Sequence, residues 1–293
     1  MAHIISPQQI LIFGCGYLGR RAARLWREAG AKVHAVTRSP QRAEQFQAEG
    51  LEPLVADIAS SGPLPPLPQA DVVLFAVGYD RGAGRPMREV YVEGFRRVLE
   101  ALPEACGKLI YISSTGVYGD TEGEWVNEDS PCRPTREGGR LCLEAEELLR
   151  TSPFGPRSLV LRLAGIYGPG RLPRLDALRA GEPLAVPSEG WLNLIHVDDA
   201  ARIILAAAEQ LEPPAIYVVS DGAPVQRSEY LAELARLIGA PSPRFTEPDP
   251  QAAATQRAGS DKRIDPSRLR AALSLELEYP DHRAGLAAAV GET

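Results

Sequence analysis

The sequence predicts an α/β fold, a doubly wound parallel sheet with a smaller C-terminal lobe. Short apolar runs alternate with segments whose apolar residues recur at helical spacing between residues 10 and 163. The first run, Ile10–Phe13, is followed at once by Gly-x-Gly-x-x-Gly and an apolar-periodic helix. Apolar runs without alternation are typical of parallel strands that helices cover on both faces. The two patterns together favour a sheet built from right-handed β-α-β units.

The glycine turn after the first strand has the spacing of a dinucleotide site. Gly14 permits a tight turn, Gly16 lets backbone N–H groups approach a diphosphate, and Gly19 lets the helix pack closely on the strand. Tyr17 and Leu18 lie at the start of that helix, whose positive dipole end favours phosphate. A glycine triplet alone is a weak signal, but the strand before it and the helix after it favour the dinucleotide interpretation.

The second strand, Lys32–Thr37, bears on which dinucleotide is bound. A carboxylate at the tip of this strand would accept hydrogen bonds from the ribose 2′-hydroxyl of NAD and repel a 2′-phosphate. The tip instead carries Arg38, whose planar guanidinium suits a phosphate. Thr37, Ser39 and Arg42 add donors nearby. We therefore expect NADP(H) rather than NAD; the alternative is a solvated Arg38 that stacks on adenine.

The alternation continues through the middle of the chain. A helix and a third strand precede a proline-rich connector, which can sustain neither element, and a fourth strand follows. These segments are Pro40–Glu49, Leu51–Ala56, 61–68 and Asp71–Ala76. The next loop, Val77–Pro86, is rich in glycine and is expected to form a mobile wall of the site.

A hydroxyl-rich turn follows the fifth strand, Lys108–Ile112. It reads Ser-Ser-Thr-Gly-Val-Tyr-Gly over residues 113–119 and leads, through a long polar loop, to a helix with Leu141 and Ala145 on its apolar face. Leu159–Leu163 is the sixth strand. Ligands of doubly wound sheets bind outside the carboxyl ends of the strands, so the glycine- and hydroxyl-rich loops are expected at one edge.

Beyond Gly165 the regular alternation ends, which predicts a second lobe that closes over a small-molecule substrate. Asp198 is expected to cap a helix over Ala200–Glu209, and Ile216–Val219 to add a last strand. The expected division is a dinucleotide-binding domain over 1–165, to which 191–220 returns, and a small substrate lobe over 166–190 and 221–293.

Composition and charge disfavour several classes of partner. The chain has 293 residues, a formal net charge of −6 and a pI near 5.4, which argues against generic binding to nucleic acid or anionic membranes. It has no apolar run of membrane-spanning length and no secretory signal, so we expect a cytoplasmic protein. Its four cysteines are far apart and its histidines lack ligand spacing, so we expect neither a disulfide framework nor a metal site.

In their order, these motifs resemble the extended short-chain dehydrogenase/reductase superfamily, in particular its NAD-dependent epimerase/dehydratase group. The resemblance implies a Rossmann-type sheet, an oxidoreductase or epimerase/dehydratase activity on a small polar or nucleotide-sugar substrate, and a homodimer formed through helices. It also implies that Asp57 and Ile58 lie against the adenine and that Ala76, Val77 and Gly78 follow the cofactor. The matching segments are Gly14–Gly19, Asp57–Ile58, Ser113–Gly119, Ile166–Gly170 and Ile195–Asp199.

The chain departs from the superfamily pattern at the proton-transfer pair. Members carry Tyr-x-x-x-Lys at the start of the helix after the hydroxyl-rich turn, and the register set by Glu146 puts Gly138 and Cys142 at those positions. Glycine has no titratable group, and a thiol with a reference pKa of ~8.5 offers no fixed positive charge. The resemblance is therefore to an atypical member.

Three explanations of the missing pair remain open. In the first, Ser114 and Thr115 face the nicotinamide and Tyr118 or Tyr167 supplies a hydroxyl, whose pKa a positive neighbour would have to lower. The candidate neighbours are Arg136 and Arg140. In the second, the substrate or water supplies the proton. In the third, the protein performs no chemistry and binds NADP(H) as a sensor; the nearly full-length second lobe favours an enzyme.

Overall fold

The computed structural model describes residues 8–247 and 260–291. The strands, in chain order, are β1 (Gln9–Phe13), β2 (Lys32–Thr37), β3 (Glu52–Val55), β4 (Val72–Phe75), β5 (Lys108–Ser114), β6 (Trp125–Val126), β7 (Ser158–Leu163), β8 (Gly165–Tyr167), β9 (Trp191–Leu192), β10 (Leu194–His196), β11 (Ala215–Val219), β12 (Val225–Gln226) and β13 (Arg263–Ile264). The helices are α1 (Gly19–Glu28), α2 (Pro40–Ala48), α3 (Gly94–Ala101), α4 (Glu137–Thr151), α5 (Leu175–Arg179), α6 (Val197–Gln210), α7 (Arg227–Leu237), α8 (Ser267–Ala272) and α9 (His282–Gly291).

Seven of these strands form one parallel sheet in the order β11-β7-β5-β4-β1-β2-β3. From β1 the chain builds outward through β2 and β3, and then returns to build the other side through β4, β5 and β7. The direction changes between β1 and β4, where Phe13 lies opposite Phe75. Ligands of such sheets bind in the crevice at this point. The predicted doubly wound α/β fold is confirmed.

The apolar runs located the sheet strands to within about two residues. Lys32–Thr37 has the predicted bounds, whereas the fifth strand extends through Ser114 instead of ending at Ile112. The extension occurs because Ser113 and Ser114 pair with Arg162 and Leu163 of β7. Hydroxyl side chains at the end of a run therefore concealed two residues of parallel pairing.

Two apolar layers cover the two faces of the sheet. Alternate residues of a strand point to opposite faces, so Ile10 and Ile12 join one core cluster while Leu11 and Phe13 join the other. The first cluster contains residues of α1 and α6, and the second contains residues of α3 and α4. Buried representatives are Trp26 and Ile204 in the first cluster, and Phe95 and Leu149 in the second.

A third, smaller core lies outside the sheet, among α5, α7 and α9. Its buried members include Tyr167, Leu178, Tyr230, Leu234 and Leu286. These residues come from segments that the sequence placed in the substrate lobe, and they are packed on one another rather than on the two clusters of the sheet.

The start of α6 differs from the prediction. The helix begins at Val197, and the imidazole Nδ1 of His196 accepts a weak bond from the backbone N–H of Asp198 at 3.4 Å. Asp198 therefore lies in the first turn and does not cap the helix; its carboxylate accepts from Arg21 Nε at 2.7 Å. Asp199, which is fully buried, accepts the backbone N–H groups of residues 278–279 and so holds the C-terminal segment against α6.

Candidate functional site

A cavity of about 830 Å³ opens at the carboxyl ends of β1, β2, β4 and β5. This volume lies in the usual range of small-molecule and cofactor sites. Among the residues that the sequence predicted for binding or chemistry, Gly19, Ser39 and Tyr118 do not line the cavity. Those that line it are Gly14, Gly16, Tyr17, Leu18, Thr37, Arg38, Asp57, Ile58, Ala76, Val77, Gly78, Ser114 and Thr115.

The glycine turn owes its shape to two close backbone approaches. Gly14 has φ +89°, and a Cβ built there would lie 2.4 Å from the carbonyl of Ala76, at the end of β4. A Cβ on Gly19 would lie 2.3 Å from the carbonyl of Gly14, so α1 packs directly on the turn. At Gly16, no described atom lies within 4 Å of such a Cβ. Gly14 and Gly19 therefore close the turn, while Gly16 leaves space on the cavity side.

The tip of β2 carries an ion pair across the mouth of the cavity. Arg38 Nη2 lies 2.5 Å from the carboxylate of Asp80, and both side chains are about half exposed. Ser39 faces away because its hydroxyl caps α2 and accepts the backbone N–H of Arg42 at 3.3 Å. Thr37 in turn accepts the N–H of Ser39 at 3.2 Å. Arg38 and Arg42 both line the cavity at this tip, and an acidic partner already contacts Arg38.

The loop Val77–Pro86 forms the wall that the sequence predicted, and it is anchored at its base. Arg85 donates to the carboxylate of Asp57 at 3.0 Å and to the carbonyl of Ala59 at 2.7 Å. Tyr79 donates its hydroxyl hydrogen to the Arg85 carbonyl at 2.7 Å. These bonds tie the loop to the segment that follows β3.

Ser114 and Thr115 face the cavity at the end of β5, whereas Tyr118 does not. The Ser114 hydroxyl accepts the backbone N–H of Gly116 at 3.1 Å and caps the 3₁₀ turn Thr115–Tyr118. The Tyr118 side chain is 1% exposed, and its hydroxyl accepts from Arg162 Nη1 at 2.9 Å. Burial raises the pKa of Tyr118 to about 12, although Arg162 acts in the opposite direction. Its hydroxyl therefore lies behind the cavity wall, whereas a proton donor would have to face the cavity.

A buried ion pair supports this turn from below. Arg162 on β7 and Glu146 on α4 are 4% and 6% exposed and are joined by bonds of 2.6–3.3 Å. Ser113 donates its hydroxyl hydrogen to the same carboxylate at 2.5 Å. The sequence analysis missed this pair, although an arginine inside the apolar strand Leu159–Leu163 was a signal that it needed a buried partner.

Gly138 and Cys142 lie on one side of α4. They are the residues that the register set by Glu146 puts at the positions of the superfamily's tyrosine and lysine. A Cβ built on Gly138 would lie 3.6 Å from the sulfur of Met87. Cys142 lines the cavity next to Tyr111, and burial, followed by the charge of Glu146, raises the pKa of its thiol to about 12. The thiol is therefore neutral at ordinary pH and supplies no charge.

Tyr167, the other candidate hydroxyl, and Arg140, a candidate positive neighbour, both lie outside the cavity. Tyr167 is 1% exposed, and burial raises the pKa of its hydroxyl well above the usual value. The hydroxyl donates to the carbonyl of Asp281 at 3.3 Å. Arg140 is exposed and donates to the carbonyl of Thr135 at 3.0 Å.

Two cations that the sequence analysis did not assign to the site together line the same cavity. Arg136, considered there only as a neighbour of tyrosine, precedes α4, and Lys262 precedes β13. The pairing of β6 with β13 sets Arg263 opposite Trp125 and so fixes Lys262 beside the loop after β5. Because 126 residues separate these cations in sequence, no local pattern could have joined them.

Neither a metal-binding cluster nor a membrane-spanning helix occurs in the part of the chain that the structure describes. Within 8–247 and 260–291, no group of three or more His, Cys, Asp or Glu side chains is arranged to hold a metal ion. In the same ranges, no helix is both long and apolar enough to cross a bilayer.

The parallel sheet, its switch point and the glycine turn define a Rossmann-type protein of the extended short-chain dehydrogenase/reductase superfamily. The chain belongs to the NAD-dependent epimerase/dehydratase family, whose model matches residues 10–220. The resemblance inferred from the motifs is thereby confirmed.

Similar proteins match over nearly the whole chain. Protein YeeZ of Escherichia coli (strain K12) is 30% identical over 280 residues, which cover 94% of this chain and 97% of that protein. A structure of a functionally unknown conserved protein from Silicibacter pomeroyi has 31% identity and a TM-score of 0.78, covering 97% of this chain and 98% of that one. The human epimerase family protein SDR39U1 (isoform 2), solved with NADPH, has a TM-score of 0.78 at 19% identity, covering 96% and 99%. At that identity the human structure shows the fold alone.

Proposed function

We propose that the protein is an NADP(H)-dependent oxidoreductase that acts on a small polar substrate. The observation that carries the proposal is one continuous cavity, which runs from the glycine turn and Arg38 to Ser114 and Thr115. A dinucleotide with its diphosphate at the turn would have its adenosine end near Arg38 and its nicotinamide near Ser114. The cofactor would supply or accept a hydride there.

The residues of the chain have separate parts in this proposal. Gly14, Gly16 and Gly19 shape the diphosphate site, with Tyr17 and Leu18 beside it. Asp57 and Ile58 hold the adenine, and Ala76, Val77 and Gly78 follow the cofactor along the end of β4. Ser114 donates a hydrogen bond to a substrate oxygen, Thr115 assists it, and Tyr118 holds the turn that carries both, since its own hydroxyl is bonded to Arg162.

The preference for NADP(H) depends on Arg38. Its guanidinium would exchange Asp80 for the 2′-phosphate at little cost, because an exposed ion pair contributes only about 0–1 kcal/mol. Thr37 lines the cavity at the same tip, and Ser39 holds the tip in place by capping α2.

A non-catalytic NADP(H) sensor is the second candidate function. The residues at two positions of α4 favour it. Gly138 and Cys142 cannot perform the work of Tyr-x-x-x-Lys, because one lacks a side chain and the other carries a neutral thiol. An enzyme would have to take its proton from substrate, water or another part of the chain.

The proposal also includes the organisation of the protein. Residues 1–165 with 191–220 form the dinucleotide-binding domain, and 166–190 with 221–293 form the substrate lobe. The separate apolar core among α5, α7 and α9 supports this division. A cytoplasmic homodimer, formed through helices, completes the proposal.

Calorimetry with NADPH and NADH tests the cofactor assignment. Arg38→Ala should weaken NADPH binding tenfold or more, equivalent to about 1.4 kcal/mol, and should leave NADH binding unchanged. Arg24→Ala is the matched control, because Arg24 is an exposed arginine of α1 outside the cavity. Equal losses for the two cofactors would refute the role of Arg38, and no binding of either would refute the site.

Turnover distinguishes the enzyme from the sensor. NADPH oxidation is followed with a panel of aldehydes, ketones and nucleotide sugars, for the protein and for Ser114→Ala. Oxidation that requires a panel member and falls at least tenfold in the variant supports the oxidoreductase. Tight NADPH binding with no turnover across the panel favours the sensor.

A further inference from the structure

Two positive side chains meet at the substrate end of the cavity without a carboxylate between them. Arg136 and Lys262 both line the cavity with Ser114. Burial, and after it the charge of Arg136, lowers the pKa of Lys262. Placing two desolvated like charges near each other costs free energy, which a bound anion between them would offset.

Lys262 is built into the fold rather than solvated. It is 5% exposed, and its Nζ donates to the carbonyl of Gly119 at 3.0 Å and to the hydroxyl of Ser260 at 2.6 Å. An ammonium group has three donors, so one remains for a further partner. Burial is the main reason that the pKa of Lys262 is lowered to about 8.

The carboxylates nearest to Lys262 bind backbone amides instead of its ammonium group. Asp120 accepts the backbone N–H of Asp261 at 3.0 Å, and Asp261 accepts that of Trp191 at 2.7 Å. No described carboxylate lies within ion-pair distance of Lys262. Their charges still favour the ammonium form, against burial and Arg136.

Arg136 precedes α4, and its side chain lies against the turn that carries Ser114. A Cβ built on Gly116 would lie 3.3 Å from the Ser114 hydroxyl and 3.5 Å from Arg136 Nη2, so these polar groups border the same small space. Among the described residues, the Arg136 side chain has no hydrogen-bond or ion-pair partner. Burial lowers its pKa, yet a guanidinium stays charged in proteins.

We propose that Arg136 and Lys262 form an oxyanion subsite, which binds a carboxylate or phosphate group of the substrate beside Ser114. A guanidinium binds such groups through two parallel hydrogen bonds, and the ammonium adds a second charge. That the bound molecule is the substrate rests on the proposed function, whereas oxyanion binding itself does not. The subsite selects substrates that carry a negative charge near the reacting carbon.

Lysine NMR gives a local test, because the chain has only three lysines, Lys32, Lys108 and Lys262. In protein labelled with ¹³C at lysine Cε, phosphate or acetate is titrated against chloride at constant ionic strength. We expect the Lys262 resonance to shift saturably and its pKa to rise, since a bound anion favours the charged form. Lys32 and Lys108, which lie outside the cavity, should not respond. A Lys262 resonance that ignores both anions would overturn the proposal.

Variants separate this subsite from the cofactor site. Arg136→Gln should raise the phosphate Kd reported by Lys262 at least tenfold, whereas Arg140→Gln, on the exposed first turn of α4, should leave it within twofold. Phosphate binding by Lys262→Met is measured by calorimetry, after circular dichroism has established that the variant folds. Anion binding unchanged in Arg136→Gln would refute the subsite. NADPH binding is measured separately on the same samples. If the unmodified protein does not bind NADPH, the proposed function is refuted but the subsite is not.

Discussion

The carboxyl group of Asp221 gives the sharpest test of the electrostatics of this fold. It is 1% exposed, just after β11, where it caps a turn by accepting the backbone N–H of Ala223 at 3.0 Å. Its Oδ2 has no hydrogen-bond partner among the described residues. Burial raises the pKa of Asp221 from 3.8 to about 7; Asp281 and Asp199 also raise it, while Arg270 lowers it.

This shift sets the direction of a stability change with pH. Between about pH 4 and pH 7 the folded protein holds a proton on Asp221 that the unfolded chain has released. Its contribution to the free energy of unfolding is therefore fully present below pH 4 and is lost as the pH rises through 7. At about 1.4 kcal/mol for each pH unit, the difference between 3.8 and about 7 corresponds to about 4 kcal/mol.

Asp221→Asn removes this titration while keeping the shape of the side chain. The variant should equal or trail the parent near pH 4.5 and exceed its stability by up to about 4 kcal/mol at pH 8. Urea unfolding followed by circular dichroism at half-unit pH steps measures the difference. Asp176→Asn, at an exposed aspartate of α5, is the control and should give a pH-independent difference. Parallel pH curves for Asp221→Asn and the parent would show that the carboxyl is ionised in the folded protein at all these pH values.

Two further predictions concern the ends of the cavity. Asp80→Asn should tighten NADPH binding up to about fivefold and leave NADH binding unchanged, because it frees Arg38 from an exposed ion pair. Calorimetry at low and high salt measures both affinities, and weaker NADPH binding in the variant would contradict the prediction. Glu146→Gln should lower the free energy of unfolding by about 3 kcal/mol or more, because it leaves Arg162 charged and buried. Urea unfolding measures the change. The control is Glu147→Gln, which breaks an exposed ion pair and should cause no measurable change.

The sequence predicted those features that depend on neighbours in the chain. Strand β2 and the turn at Gly14 follow from local rules, since apolar runs fold as buried strands and a positive φ selects glycine. The position of Tyr118 could not be read in this way. Its orientation depends on Arg162, which is 44 residues away and pairs with a carboxylate on α4. The orientation of Ser39 was equally hard to predict, because a hydroxyl before a helix can serve as a cap as readily as bind a ligand.

The two ends of the cavity depend on different contacts, the glycine turn on those at the ends of β1 and β4, and Lys262 on those between β6 and β13. The glycine turn and Arg38 belong to the first two β-α units, and the turn is closed by the backbone at the end of β4. Lys262, in contrast, reaches the cavity only because two residues of β13 pair with β6 and Asn193 accepts and donates across the same junction. In the proposed oxyanion subsite, the positive charges come from the loop before α4 and from this C-terminal junction, rather than from α4 itself. We therefore expect changes at residues 260–264 to alter anion binding and to leave NADPH binding unchanged.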